Sequence, residues 1–474
     1  MRQRSRALLA VTALAAAATV LAACSGGSTA NTNGANTNSA NADSSAGGST
    51  PSGSSTSSGS SASGDTSSPA LTGTISLWYY FSDREAEVMQ SVINKFEAAN
   101  PGIKVVVHGS QDDEKITKVI SSGGDIDVAM SPGTDNLGAF CSSGAYVDLG
   151  PYMKKNGVAD STFVSAALDY TKFNGVQCAL PMMTDMYGLY YNKDLFEKAG
   201  LTAPPKTLSE LKDMALKLTT YNADGSIKTL GFNPLIGFYE NQSPQWSFIT
   251  GATWMKDGKS TIADDPAWSD LITWQKSMVD AIGYDKLKAF TAGLGDEWSA
   301  DEAFQTGQVA MMLDGEWRTA FIKDQAPKLN YATAPFPTGD KYTDLYGGGY
   351  SSGTTVGMAK TAKNKDLAFK LIQYLTTDTG VMVTLANELG NVPTTHDGLT
   401  SPDLKGPDQF KTFLSIADSG HVLSLPNTAI GSGTYTTLDD FWQSYQSGSG
   451  GDLAAGLKKV DEDINNALAL SDGP

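Results

Sequence analysis

From Ser25 to Pro69 the chain has no aromatic residue and no aliphatic residue larger than alanine, and it consists almost wholly of Ser, Gly, Thr, Asn and Ala. Such a stretch cannot bury enough apolar surface to offset the entropy of ordering it. Folding is thereby confined to the roughly 400 residues from Leu71 to Pro474, enough for two lobes of ordinary size rather than one core. As a random coil the tract would reach about 35 to 40 Å, so it reads as a tether. No later stretch approaches about 18 uninterrupted apolar residues, so nothing in the body is expected to span a membrane. The formal net charge is −17, which leaves no basic surface for a nucleic-acid backbone and reads as solubility.

Arg2, Arg4 and Arg6 precede an apolar run that ends in Leu21-Ala22-Ala23-Cys24. A basic start, a short apolar core and small residues before a cut site describe a secretory signal. The cysteine at the cut position resembles a bacterial lipobox. That resemblance implies removal of 1–23, a diacylglycerol on Cys24, and an extracytoplasmic body anchored at the outer face of the cytoplasmic membrane by 24–70. Cys141 and Cys178 are the only other cysteines, and in an oxidising compartment they are expected to pair. Closing a loop of about 38 residues would stabilise the fold by about 3 to 4 kcal/mol. His108, His396 and His421 lack ligand spacing with the cysteines, so no metal and no cofactor is expected.

The body opens with alternating strands and helices. Thr74 to Phe81 is β-branched and aromatic and predicts a buried strand. Glu85, Val88, Met89, Val92, Ile93 and Phe96 then recur at helical spacing, and Asn100-Pro101-Gly102 stops the run. Ile103 to Val107, Lys115 to Ser121 and Ile126 to Met130 continue as strand, helix, strand. This rhythm predicts an α/β fold with a mostly parallel sheet. Ligands of such sheets sit beyond the strands' carboxyl ends, which directs attention to Tyr80 to Asp83, Gly109 to Asp112 and Ser131 to Asn136.

The run Gly175 to Gly200, followed by Pro204-Pro205-Lys206-Thr207-Leu208-Ser209-Glu210-Leu211, closely resembles the extracellular solute-binding proteins of carbohydrate ABC transporters, the maltose-binding-like group. Asn100 to Val105, Ala303 to Trp317, Ala332 to Pro337 and Leu389 to Pro393 resemble further signposts of that family in the same order. Asp314 and Glu316 depart from it, standing where the family usually has Asn and Pro. The resemblance implies a two-lobed, type II periplasmic-binding-protein-like clam with three hinge crossings, near Thr184 to Gly188, Tyr346 to Gly353 and Gly390 to Pro393. The lobes would be 71–185 plus 349–391 and 186–348 plus 392–474. It also implies a sugar, mono- or oligosaccharide, held between the lobes by a monomer that delivers it to ABC permease subunits.

Sugar recognition needs flat aromatic faces against C–H patches, and carboxylates, amides and arginine for the hydroxyls. Matched to the family residue by residue, Asp135 falls at a first-lobe carboxylate, Asp185 at the acidic residue of the first crossing, and Trp317 at a stacking tryptophan. Gln245, Trp246 and Trp442 match the neighbourhoods of further ligand contacts. Tyr80, Ser82 and Asp83 leave the first strand at the cleft edge, Arg318 follows the tryptophan, and Tyr350 lies in a glycine-rich crossing. The acidic residues keep a polyamine or another small solute open as the ligand, and a surface adhesin without a transporter is a further alternative.

Catalysis is not expected. Gly349-Tyr350-Ser351-Ser352-Gly353 matches the G-x-S-x-G nucleophile elbow, but that elbow needs a helix after its serine, and Thr354 to Met358 reads as a strand. No phosphate-binding or dinucleotide fingerprint occurs.

Overall fold

The computed structural model describes residues 71–471. The signal, Cys24 and the tether lie outside the described residues. Gly73–Trp78 pairs in parallel with Ile103–His108 and with Val128–Ser131, and the helices Asp83–Ala99 and Asp113–Ser121 lie between them in the chain. The first strand stops at Trp78, short of the predicted Phe81, as the chain turns into the helix. Asp83 makes that turn with a left-handed backbone, φ 47°. Met89, Val92, Ile93 and Phe96 form the helix's buried stripe, as their spacing predicts. Each contributes roughly 1.5–3 kcal/mol by leaving water.

Of the remaining two strands of this sheet, one runs the other way. Thr355–Met358 is antiparallel to Val128–Ser131, and Ala179–Pro181 is antiparallel to Thr355–Met358. The sheet is therefore mixed: four of its five strands run one way and Thr355–Met358, which enters from the second crossing, alone is reversed.

The second sheet is organised on one long strand, Met183–Asn192. Val309–Gly315 and Tyr331–Ala334 pair with its C-terminal half, while Gly349–Ser352 and Val392–Pro393 pair with its start. Ile227–Phe232 extends the sheet beyond Val309–Gly315. Against it the helix Leu208–Leu218 buries Leu208, Leu211, Ala215 and Leu218. A reciprocal capping box starts that helix, in which the Thr207 hydroxyl accepts from the Glu210 amide and the Glu210 carboxylate accepts from the Thr207 amide.

Three segments connect the sheets, and they lie side by side. The first passes from Ala179–Pro181 into the long strand. The second leaves the second sheet at Ser352 and enters the first at Thr355, so 349–352 belongs with the second sheet although the sequence division places it in the first lobe. Gly353 makes this passage with φ 151°, and a Cβ there would overlap the Met183 carbonyl oxygen. The third follows Gly390, which ends the helix Thr379–Leu389 with φ 84°. Since Ser351 is followed by a second strand rather than a helix, the elbow motif lacks its context.

Cys141, on the short helix Leu137–Ser142, is disulfide-bonded to Cys178 with Cα atoms 5.9 Å apart. Among the described residues no helix is long and apolar enough to cross a membrane.

Candidate functional site

Where the crossings meet the ends of both sheets there is a cavity of about 200 Å³, lined by Pro132, Gly133, Asp135, Asp185, Tyr187, Glu240, Gln242, Pro244, Gln245, Tyr350, Ser352 and Tyr435. The loop after Val128–Ser131 supplies the first three residues from one lobe. Asp185 and Tyr187 project from the long strand on one face, as a period of two requires. Tyr350 and Ser352 do the same from the strand paired with it. The segment 240–245 and Tyr435 complete the second-lobe wall.

Three carboxyls from three segments enter this space, and all three titrate high. Burial raises Asp135 to about 6, helped by the charge of Asp113, while the Tyr435 hydroxyl acts the other way. Burial, then the nearby Glu240, raises Asp185 to about 8, against a hydrogen bond from Asn391 Nδ2 at 3.2 Å. Burial and Asp314 raise Glu240 to about 7. Around these charges stand the rings of Tyr187 and Tyr350, with centroids 5.7 Å apart. Gln245 directs Nε2 toward the Tyr187 hydroxyl and Glu240 Oε2, both at 3.5 Å. Its Oε1 is buried without a partner, an acceptor left open in the wall.

Asp314 and Glu316, the family departures, do not line the cavity. Asp314 Oδ2 accepts from Arg318 Nε at 2.6 Å, with both side chains wholly buried. Glu316 Oε2 accepts from the Met186 amide at 2.7 Å, and its Oε1 accepts from Asn391 Nδ2 at 3.3 Å. Glu316 therefore ties the first crossing to the third. The question of ligand polarity moves to Asp135, Asp185 and Glu240.

Of the residues expected from sequence, Asp135, Asp185, Gln245 and Tyr350 share the cavity wall. Arg318 does not reach it. Its guanidinium is held by Asp314 and by the Glu297 carbonyl, 2.9 Å from Nη1. Trp246 and Trp442 are core residues, wholly buried and edge to face with centroids 5.9 Å apart. Their Nε1 atoms donate to Asn241 Oδ1 and Gln275 Oε1. Trp317 stands one ring back, edge-on to Tyr187 at 5.4 Å. Tyr80 bonds Thr354 at 2.6 Å, and Ser82 and Asp83 are exposed at the start of their helix, outside the lining. Tyr187, Ser352, Glu240, Gln242 and Tyr435 were missed. Alternation from Asp185 and Tyr350 could have found the first two, whereas the others stand on irregular segments or a distant helix with no periodic signal.

What the arrangement can do is grip a small polar solute between facing walls, with acceptors and aromatic faces but no cation. Comparisons with known proteins agree with a binding architecture. The model of the bacterial extracellular solute-binding protein family matches residues 82–382. The maltotriose-binding protein of Pyrococcus abyssi is 22% identical over 83% of this chain and 82% of its own. The maltodextrin-binding protein MdxE of Bacillus subtilis is 24% identical over 81% of this chain and 86% of its own. Among solved structures, CpMnBP1 with mannotriose bound superposes with a TM-score of 0.73 at 26% identity, over 82% of this chain and 99% of that one. Its match over the greater part of the folded body makes this chain a member of the bacterial extracellular solute-binding protein family.

Proposed function

We propose that the chain is the extracytoplasmic substrate-binding component of an ABC importer, capturing a mono- or oligosaccharide between its lobes and delivering it to the permease. One observation carries the reading. The cavity at the crossings combines the Tyr187 and Tyr350 rings with Asp135, Asp185, Gln242 and Gln245, the mixture of flat faces and hydrogen-bonding groups that a ring with hydroxyls needs. Mannotriose bound to CpMnBP1 and the sugar names of the relatives support it. The volume, below the about 300–1,000 Å³ usual for larger ligands, suits a short sugar.

The body acts at the membrane through a lipid on Cys24, with 24–70 as the tether. Lobe closure carries the signal to the permease, because a ligand favours the closed state only by contacts made better there. A thermal-shift screen of sugars on protein beginning at Leu71, followed by calorimetry, tests the binding. A ligand at 100 times its dissociation constant stabilises by about 2.7 kcal/mol. Absence of any sugar hit from a panel spanning mono- to tetrasaccharides would refute it. Cys24→Ser should release the full chain from the membrane fraction, and unchanged retention would count against the anchor.

A further inference from the structure

The cavity wall is rich in acceptors and holds no cation. Asp135, Asp185 and Glu240 each bring a carboxyl, no Lys or Arg lines the space, and the guanidinium behind it, that of Arg318, pairs with Asp314 through Nε while its Nη2 is buried without a partner. Gln245 Oε1 adds a buried acceptor without a partner on a side chain only 8% exposed. The donors are fewer, and part of them is engaged within the wall. Gln245 Nε2 points at Tyr187 and Glu240, and the Tyr435 hydroxyl is turned to Asp135. A neutral sugar brings hydroxyls that both donate and accept, so this wall would match its donors and leave its acceptor oxygens short. An ammonium brings three donors, no acceptor and a positive charge, and tyrosine faces favour it further. A bare metal ion does not suit the same groups. Among the described residues no three His, Cys, Asp or Glu side chains are arranged to hold one.

We infer that the solute carries a protonated amine: a cationic amino sugar of the hexosamine class, its ammonium among Asp135, Asp185 and Glu240 and its ring hydroxyls at Gln242, Gln245 and the tyrosines. This rests on the carbohydrate reading above and narrows it. The amine meets carboxyls from both lobes and from the first crossing and favours their ionised forms, so it helps hold the clam shut. The same groups make N-acetylation the discriminating change. An acetyl group removes the charge and two donors while adding an acceptor the wall has no use for.

The test is isothermal titration calorimetry at pH 7 on protein beginning at Leu71. The probes are glucosamine, galactosamine, mannosamine and β-1,4-linked glucosamine dimer, each beside its N-acetylated form, with glucose, mannose, maltose, mannobiose and putrescine. At least one amino sugar should bind ten times or more tighter than its N-acetylated form and than every neutral sugar. Glu240→Gln and Asp185→Asn, checked for folding by circular dichroism, should each reduce that preference at least fivefold while the wild-type control retains it. Equal or tighter binding of an N-acetylated or neutral sugar overturns the inference and leaves the carbohydrate reading standing. Binding of putrescine with no sugar of any kind overturns both. Silence from every amino sugar in the panel also overturns the inference.

Discussion

Arg318→Met should destabilise the second lobe without changing the cavity wall. In the native fold Arg318 Nε lies 2.6 Å from Asp314 Oδ2, both groups have no exposed surface, and Nη1 donates to the Glu297 carbonyl. The guanidinium also packs against Trp298 and Phe321, 5.7 and 5.3 Å from the ring centres. Removing one partner of a buried pair costs about 3–5 kcal/mol, because the other charge is left uncompensated. Methionine keeps much of the packing, and Asp314, already raised by burial, escapes part of the penalty by taking up a proton. The lower end, about 3 kcal/mol, is therefore expected. At about 2–4 °C per kcal/mol for a lobe-sized unit, the transition of that lobe should fall by about 6–12 °C in calorimetry. Affinity for the sugar found by the screen, measured well below the transition, should change less than about threefold, since Arg318 is not part of the cavity wall and the loss of its charge near Glu240 is offset as Asp314 takes up a proton. Adding Asp314→Asn should recover part of the loss by removing the stranded charge. An unchanged transition combined with an affinity drop beyond tenfold would refute this account and make Arg318 a ligand group.

Asp135, Asp185 and Glu240 titrate at about 6, 8 and 7, above ordinary carboxyls, so between about pH 4 and pH 8 the folded body holds more protons than the unfolded chain. Stability of the ligand-free body is then greatest below pH 4 as far as these groups decide it, and falls as pH rises to 8. Asp185→Asn should flatten the upper half of that slope in denaturant titrations, and an unchanged slope speaks against its buried titration. Reduction of Cys141–Cys178 should lower stability by up to about 3 to 4 kcal/mol on the chain-entropy model, seen as a lower urea midpoint of the first lobe, and an unmoved midpoint would count against the bridge. Tyr187→Ala should remove roughly 2 to 4 kcal/mol of sugar binding, as truncation of an anchoring ring does, and Trp317→Ala about half of that through loss of the edge contact behind it. A larger loss at Trp317 than at Tyr187 would place the indole in direct contact with the ligand.

Much of the first lobe was readable because its elements are local. The apolar stripe Met89, Val92, Ile93 and Phe96 depends on spacing alone. The parallel direction of the early strands follows from the same rhythm, but the antiparallel pairing of Thr355–Met358 with Val128–Ser131 and Ala179–Pro181 does not, because those partners lie 174 to 230 residues apart by register and pairing across such distances leaves no periodic trace. The same limit explains the site. Asp135 was legible because it follows a strand end, and Asp185 because it stands within a family signpost. Glu240, which shares their cavity, sits on an irregular segment and acquires its neighbours only by folding.

The tryptophans and the acidic departures show the other half of that limit. Trp246 and Trp442 have the residue type a sugar site needs, yet each finds a hydrogen-bond partner for its indole and a second aromatic ring inside the lobe, so composition alone cannot separate core from cleft. Asp314 and Glu316 look like ligand groups when only their charge is read. Their partners, Arg318 for one and the Met186 amide with Asn391 for the other, make them internal ties. Glu316 in particular joins the long strand to the third crossing, so a mutation there acts on the hinge before it acts on the ligand. The carboxyls that line the cavity are instead Asp135, Asp185 and Glu240, one on the first lobe, one at the crossing and one on the second lobe. A solute that answers all three with positive charge, as inferred above, would join the two lobes and the crossing through one group, so that recognition and closure become a single event.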